Sequence, residues 1–134
     1  MAEVTLTSFA GASIASKTKK VVFGEAVTEG QAVYRKASDG KYYVADCETS
    51  QATAEVEGFA TSGYSADDVG HIVTDGLANT NAGLAADTAY YLGTDGTIQL
   101  ESDLASSDWV TFCGMSDTTS TLDVSIKAFG RQKA

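Results

Sequence analysis

Apolar side chains along this chain come in short runs that alternate with polar ones, and turn residues separate the runs. The stretch 30–46, GQAVYRKASDGKYYVAD, has the pattern in full: Ala32, Val33, Tyr34 and Arg35, then Asp39 and Gly40, then Tyr42, Tyr43 and Val44. Asp-Gly between two such runs predicts a β-hairpin, because glycine tolerates the positive φ of a tight turn. A reduced copy occurs at 88–100, TAYYLGTDGTIQL. There Ala89 stands for Ala32, Tyr91 for Tyr34, and Asp95 and Gly96 for Asp39 and Gly40.

The remaining runs fit the same picture. Val4 and Leu6 alternate with threonines and predict a short strand in an arm, 1–20, that continues through small residues (11–16) to a solvated basic patch at Lys17, Lys19 and Lys20. With few large apolar side chains the arm either frays or pairs with a neighbouring molecule. The body, 21–134, begins at Val21, Val22 and Phe23. A connection at 47–55 reads mainly as loop, with room for one helical turn. Strands are expected at 56–60 with Gly58 inside, at 69–74 ended by Asp75 and Gly76, at 109–116 with Gly114 in the place of Gly58, and at 122–126. A glycine within a strand marks a bulge or a close approach of another backbone. No dozen-residue window shows helical periodicity. The fold class expected is all-β: a compact sandwich or barrel built from two similar hairpin-containing units, about 30–76 and 87–130, with an extended N-terminal arm. Its inner faces are expected to hold Val33, Phe59, Ile72, Tyr91, Phe112, Leu122, Val124 and Ile126.

Composition narrows the function. The 134 residues contain no proline and 13 glycines, so glycine, aspartate and asparagine must make the turns. Net charge is −9, which argues against nucleic-acid binding, since phosphate neutralisation needs clustered Lys and Arg. All nine basic residues lie before Tyr42 or after Ile126, and the stretch between holds fourteen acidic ones. One reading of that bias is solubility; the other is polarity, with an acidic outer part and a basic base that docks on something. Cys47 and Cys113 are too few for a disulfide scaffold, and two buried or half-buried thiols are expected, with one bridge still possible. No secretory signal and no run of about 18 apolar residues is visible, so a soluble protein of a reducing compartment, without membrane contact, is expected.

Catalytic constellations are nearly missing. His71 is the single histidine, lies in a predicted strand, and is expected to be half-buried and structural. The carboxylates Asp67, Asp68 and Asp75, or Asp87 and Asp95, lack the ordered spacing of a calcium loop. No metal, cofactor or catalytic residue is assigned, and no enzyme is expected. The tyrosine pairs in the hairpins each place one ring inside and one outside, so Tyr42 or Tyr43, and Tyr90 or Tyr91, should be exposed and available to an interface.

The order of motifs resembles a known group. G-x-A-V-Y and an acidic D-G-K turn at 30–46, V-x-G-F-A at 56–60, A-Y-Y-L-x-x-x-D-G-T-I at 89–98, and G-M-S followed by an alternating strand at 114–126 are similar to capsid decoration (cement) or head-fibre proteins of tailed bacteriophages. The resemblance covers nearly the whole chain, although its motifs are turns and core positions. It implies a structural virion protein, made in the host cytoplasm, that binds the outer surface of an assembled capsid as a homotrimer in contact with the major capsid protein. The alternative is a head-fibre or tail-associated module that recognises host-surface carbohydrate. The interface expected from these readings comprises Val4, Leu6, Phe9, Lys17, Lys19, Lys20, Arg35, Tyr43, Tyr90 and Arg131, with the arm adding to a sheet edge of a capsid subunit or sister protomer.

Overall fold

The computed structural model describes residues 4, 10–11, 17–80 and 83–134. Among these residues ten strands follow in order: β1 (Ala10–Gly11), β2 (Lys17–Val22), β3 (Ala32–Arg35), β4 (Tyr42–Val44), β5 (Val56–Ala60), β6 (Val69–Asn79), β7 (Ala89–Leu92), β8 (Ile98–Gln99), β9 (Trp109–Ser116) and β10 (Thr121–Gln132). They form one antiparallel sheet of order β4-β3-β5-β6-β10-β9-β7-β8, with β1 and β2 added to β6. The sheet curls into a half-barrel, and the chain is all-β. Helical structure among the described residues is confined to single 3₁₀ turns at Ala52–Ala54 and Glu101–Asp103.

The two halves repeat strand for strand. β3 pairs with β4 and β5 as β7 pairs with β8 and β9, and each half ends in a long strand that pairs with the one before it. Val33 faces Gly58 and Tyr90 faces Gly114. The register then slips by one residue in both halves, before Tyr34 faces Val56 and Tyr91 faces Phe112. The extra residues are Glu57 and Cys113. The glycine beside each bulge is required by a close backbone: a Cβ on Gly58 would lie 2.7 Å from the Val73 carbonyl, and one on Gly114 would run into the Asp123 carbonyl. Because β6 and β10, the equivalent strands, pair with each other, the strand order reads as one unit followed by its reverse.

Two apolar clusters hold the curl. Phe59, Val73, Leu92, Ile98, Leu122 and Val124 belong to the larger, which both halves share. The smaller lies against the first half and comprises Val21, Phe23, Val27, Val33, Tyr42, Ala60 and Ile72. Phe23 stacks on Tyr64 with centroids 4.7 Å apart, so the segment before β3 and the loop after β5 cap this second cluster together. Full burial of each large side chain contributes about 2 kcal/mol.

Several expectations need correction. Asp75 and Gly76 do not end the strand: β6 runs through them, with Gly76 at φ 90°, because Asp75 pairs with both Lys17 and Ser125. The patch 17–20 is exposed, as expected, and forms the start of β2, which pairs with β6 of the same chain. The arm is also held more closely than expected. The Val4 amide donates to the Ile98 carbonyl, and β1 pairs with Ala78 and Asn79 of the same chain. The last strand runs beyond the expected 122–126, from Thr121 to Gln132, because β9 pairs with it as far as Trp109. Of the expected inner positions, Val33, Phe59, Ile72, Leu122 and Val124 are buried, with Val33 and Ile72 in the smaller cluster; Tyr91, Phe112 and Ile126 are half-buried. His71 is exposed rather than half-buried.

Candidate functional site: a basic groove beside strand β2

β2 leaves its lysines in solvent because only Val21 turns into the smaller cluster. It pairs with β6 and, among the described residues, with no strand on its other side. That side faces β4. The two approach at one end, where Phe23 and Tyr42 form a parallel bridge and the Gly24 amide donates to the Tyr42 carbonyl at 2.9 Å. Away from this bridge they diverge and leave a groove of about 430 Å³, lined by Lys19, Lys20, Val21, Val22, Arg35, Gly40, Tyr42 and Val69.

The groove is basic on its walls and apolar at its edge. Val69 is 55 % exposed and Val22 37 %, two of the few large apolar side chains so placed among the described residues. Lys19 is held: its Nζ donates to the Tyr42 hydroxyl at 2.9 Å and to Glu57 at 3.2 Å, while the Tyr42 hydroxyl donates to Glu57 at 2.8 Å. The bond to Tyr42, then that to Glu57, raises the lysine pKa above its ordinary value. Burial pushes the Tyr42 hydroxyl up as well. The bulge in β5 supplies Glu57 at this point, which is how an irregularity in the sheet positions a side chain in the groove. Lys20 and Arg35 are different. The two ion pairs among the described residues use Lys19 and Lys41, so Lys20 and Arg35 present cations without a carboxylate at contact distance.

The structure thus brings Lys19, Lys20 and Arg35 together, with Lys17 at the start of the same strand. Tyr43 is half-exposed on the neighbouring hairpin, where its hydroxyl donates to Asp39 at 2.5 Å and Lys36 lies over its ring. Arg131 is elsewhere, on β10, with its guanidinium 5.8 Å from the Phe129 ring centre. Tyr90 is a correction. It is 3 % exposed, its hydroxyl accepts the Ala85 amide at 2.9 Å, and Tyr91 is the outward member of the pair. The bulge at Cys113 falls between the two tyrosines, with Tyr90 facing Gly114 and Tyr91 facing Phe112. Leu6 and Phe9 lie outside the described residues, and Val4 is half-buried against its own chain at Ile98. The sequence reading missed Val22 and Val69 as partners of the lysines; a valine following a basic run at a strand edge was the available signal.

No family model matches the chain, and no curated protein matches it.

Proposed function

We propose that this protein is a structural virion component that binds the outer surface of a tailed-phage capsid and stabilises it. The observation that carries this reading is the separation of charge and exposed apolar surface. Lys19, Lys20 and Arg35 gather with Val22 and Val69 at one groove, while the stretch from Tyr42 to Ile126 supplies fourteen acidic residues and no basic one. A chain of net charge −9 with a local basic-apolar face stays dispersed when free and docks in one orientation. Repetition of a modest contact over many equivalent capsid positions, as a homotrimer contacting the major capsid protein, multiplies its stabilising effect.

The test mixes purified protein with empty expanded capsids lacking it and measures occupancy by sedimentation, beside a glycan panel. Saturable capsid binding supports the reading. Absence of capsid binding overturns it, and glycan binding in its place favours the carbohydrate-recognition alternative. Deleting residues 1–9, which spares every described strand, tests the arm; undiminished occupancy removes it from the interface.

A further inference from the structure

We infer that the groove between β2 and β4 is a receptor for an extended acidic peptide, which binds by adding a strand to the open side of β2. Four observations converge. Among the described residues, β2 lacks a strand partner on the side that faces the groove. The groove is long enough to be lined by four consecutive residues of that strand, Lys19 to Val22. Lys20 and Arg35 flank it with no carboxylate at contact distance among the described residues. Val22 and Val69 are exposed beside them.

An added strand satisfies each of these. Main-chain hydrogen bonds form along β2, and alternate side chains of the ligand point to opposite faces. On the face that Lys20 shares with Val22 and Val69, an aliphatic side chain of the ligand covers the valines and a carboxylate two residues away meets Lys20, while a carboxylate on the opposite face reaches Arg35. Lys19 is held by Glu57 and Tyr42, so it braces the wall instead of taking the ligand's charge.

A competing account is that lysines on an edge strand simply prevent edge-to-edge association. Such a guard faces open solvent. Here the edge faces a groove walled on its far side by Arg35, Gly40 and Tyr42, and the lysines are accompanied by exposed valines. The inference holds whether or not the capsid reading does, since it concerns the chemistry of the ligand and not its source.

The experiment titrates the full chain with three capped peptides: Thr-Val-Glu-Glu-Glu-Val-Thr, which carries both valine and glutamate on one face and glutamate on the other, the same peptide with lysine for glutamate, and the acidic peptide N-methylated at alternate residues. Calorimetry gives affinity, and amide exchange locates the site. The acidic peptide should bind and slow exchange at the amides of residues 19–22. Both control peptides, and the Lys20→Glu/Arg35→Glu variant with the acidic peptide, should bind at least about tenfold more weakly. Because Lys20 and Arg35 are exposed, that variant should keep its fold, which its circular dichroism checks. Failure of the acidic peptide to bind, equal binding of the N-methylated or lysine peptide, or unchanged affinity in the variant would each overturn the inference.

Discussion

The amide of Ala32 donates to the carbonyl of Gly96 at 2.9 Å, so the tip of the second hairpin is built into the first strand of the first hairpin. The Gly96 amide in turn donates to Ala45 at 2.7 Å, and the Gln31 side chain donates to the Asp95 carbonyl at 3.0 Å. Asp95 and Gly96 sit at φ 51° and 74°, the pair of positive values that a type I′ turn requires. A turn that is usually a solvent-exposed tip is here a joint between the two halves.

Gly96→Ala should therefore destabilise the protein by about 2 kcal/mol or more, through the strained φ and a Cβ lying 2.9 Å from Gln31 Cβ and 3.1 Å from the Ala32 amide nitrogen. Gly83→Ala is the control. Nothing lies within 4 Å of a Cβ there, so its midpoint should move by less than about 0.5 kcal/mol. Urea melts of the two variants decide the matter, and equal midpoints would remove the joint from the stability account.

The equivalent glycines Gly58 and Gly114 make a paired prediction. Alanine at either should lower stability by about 1–3 kcal/mol, since the obstructing atom at both is a backbone carbonyl, which cannot swing aside like a side chain. Thermal melts of the single variants check this. Tolerance at one position with loss at the other would show that the repeated bulges differ in rigidity.

Tyr43 and Asp39 form a pH-sensitive contact on the first hairpin. The hydrogen bond to Asp39 pushes the Tyr43 hydroxyl up to about 12, and the Tyr43 bond, followed by the Lys41 amide, holds the Asp39 carboxyl below its usual range. The signs are opposite. The aspartate favours folding above its unfolded pKa and loses that effect as pH falls through the lower folded value. The tyrosine favours folding below its unfolded pKa and loses the effect as pH rises through about 12. In Asp39→Asn the Tyr43 ring-carbon titration, followed by NMR, should move down toward about 10. An unmoved titration would assign the shift to another cause.

Cys47 and Cys113 are both reduced and buried, and burial pushes the Cys113 thiol well above its ordinary value. Neither should react with a thiol reagent in the native protein at pH 8, and both should react in guanidinium. Rapid labelling of the folded chain would contradict this burial.

Much of the fold was legible locally. β3 and β4 lie where the runs around Asp39 and Gly40 place them, and β9 spans the whole of 109–116. In each case the alternation and the turn residues lie within a few positions of one another, so neighbouring residues suffice to specify the element. Asp75 and Gly76 show where that logic fails. The same dipeptide that turns the chain at 95–96 is drawn straight through β6, because β10 and β2 supply partners at Asp75.

The candidate site divides along the same line. The sequence by itself determined the all-β class, the two tyrosine pairs and the confinement of cations to the ends of the chain. Tertiary structure decided that Tyr42 and Tyr90 are the inward members, since each local pattern allows either face until a bulge or a neighbouring strand selects one. It also decided that Lys19, Lys20 and Arg35 meet around Val22 and Val69. Those residues come from three separate strands, and only the closure of β2 toward β4 brings them to one groove.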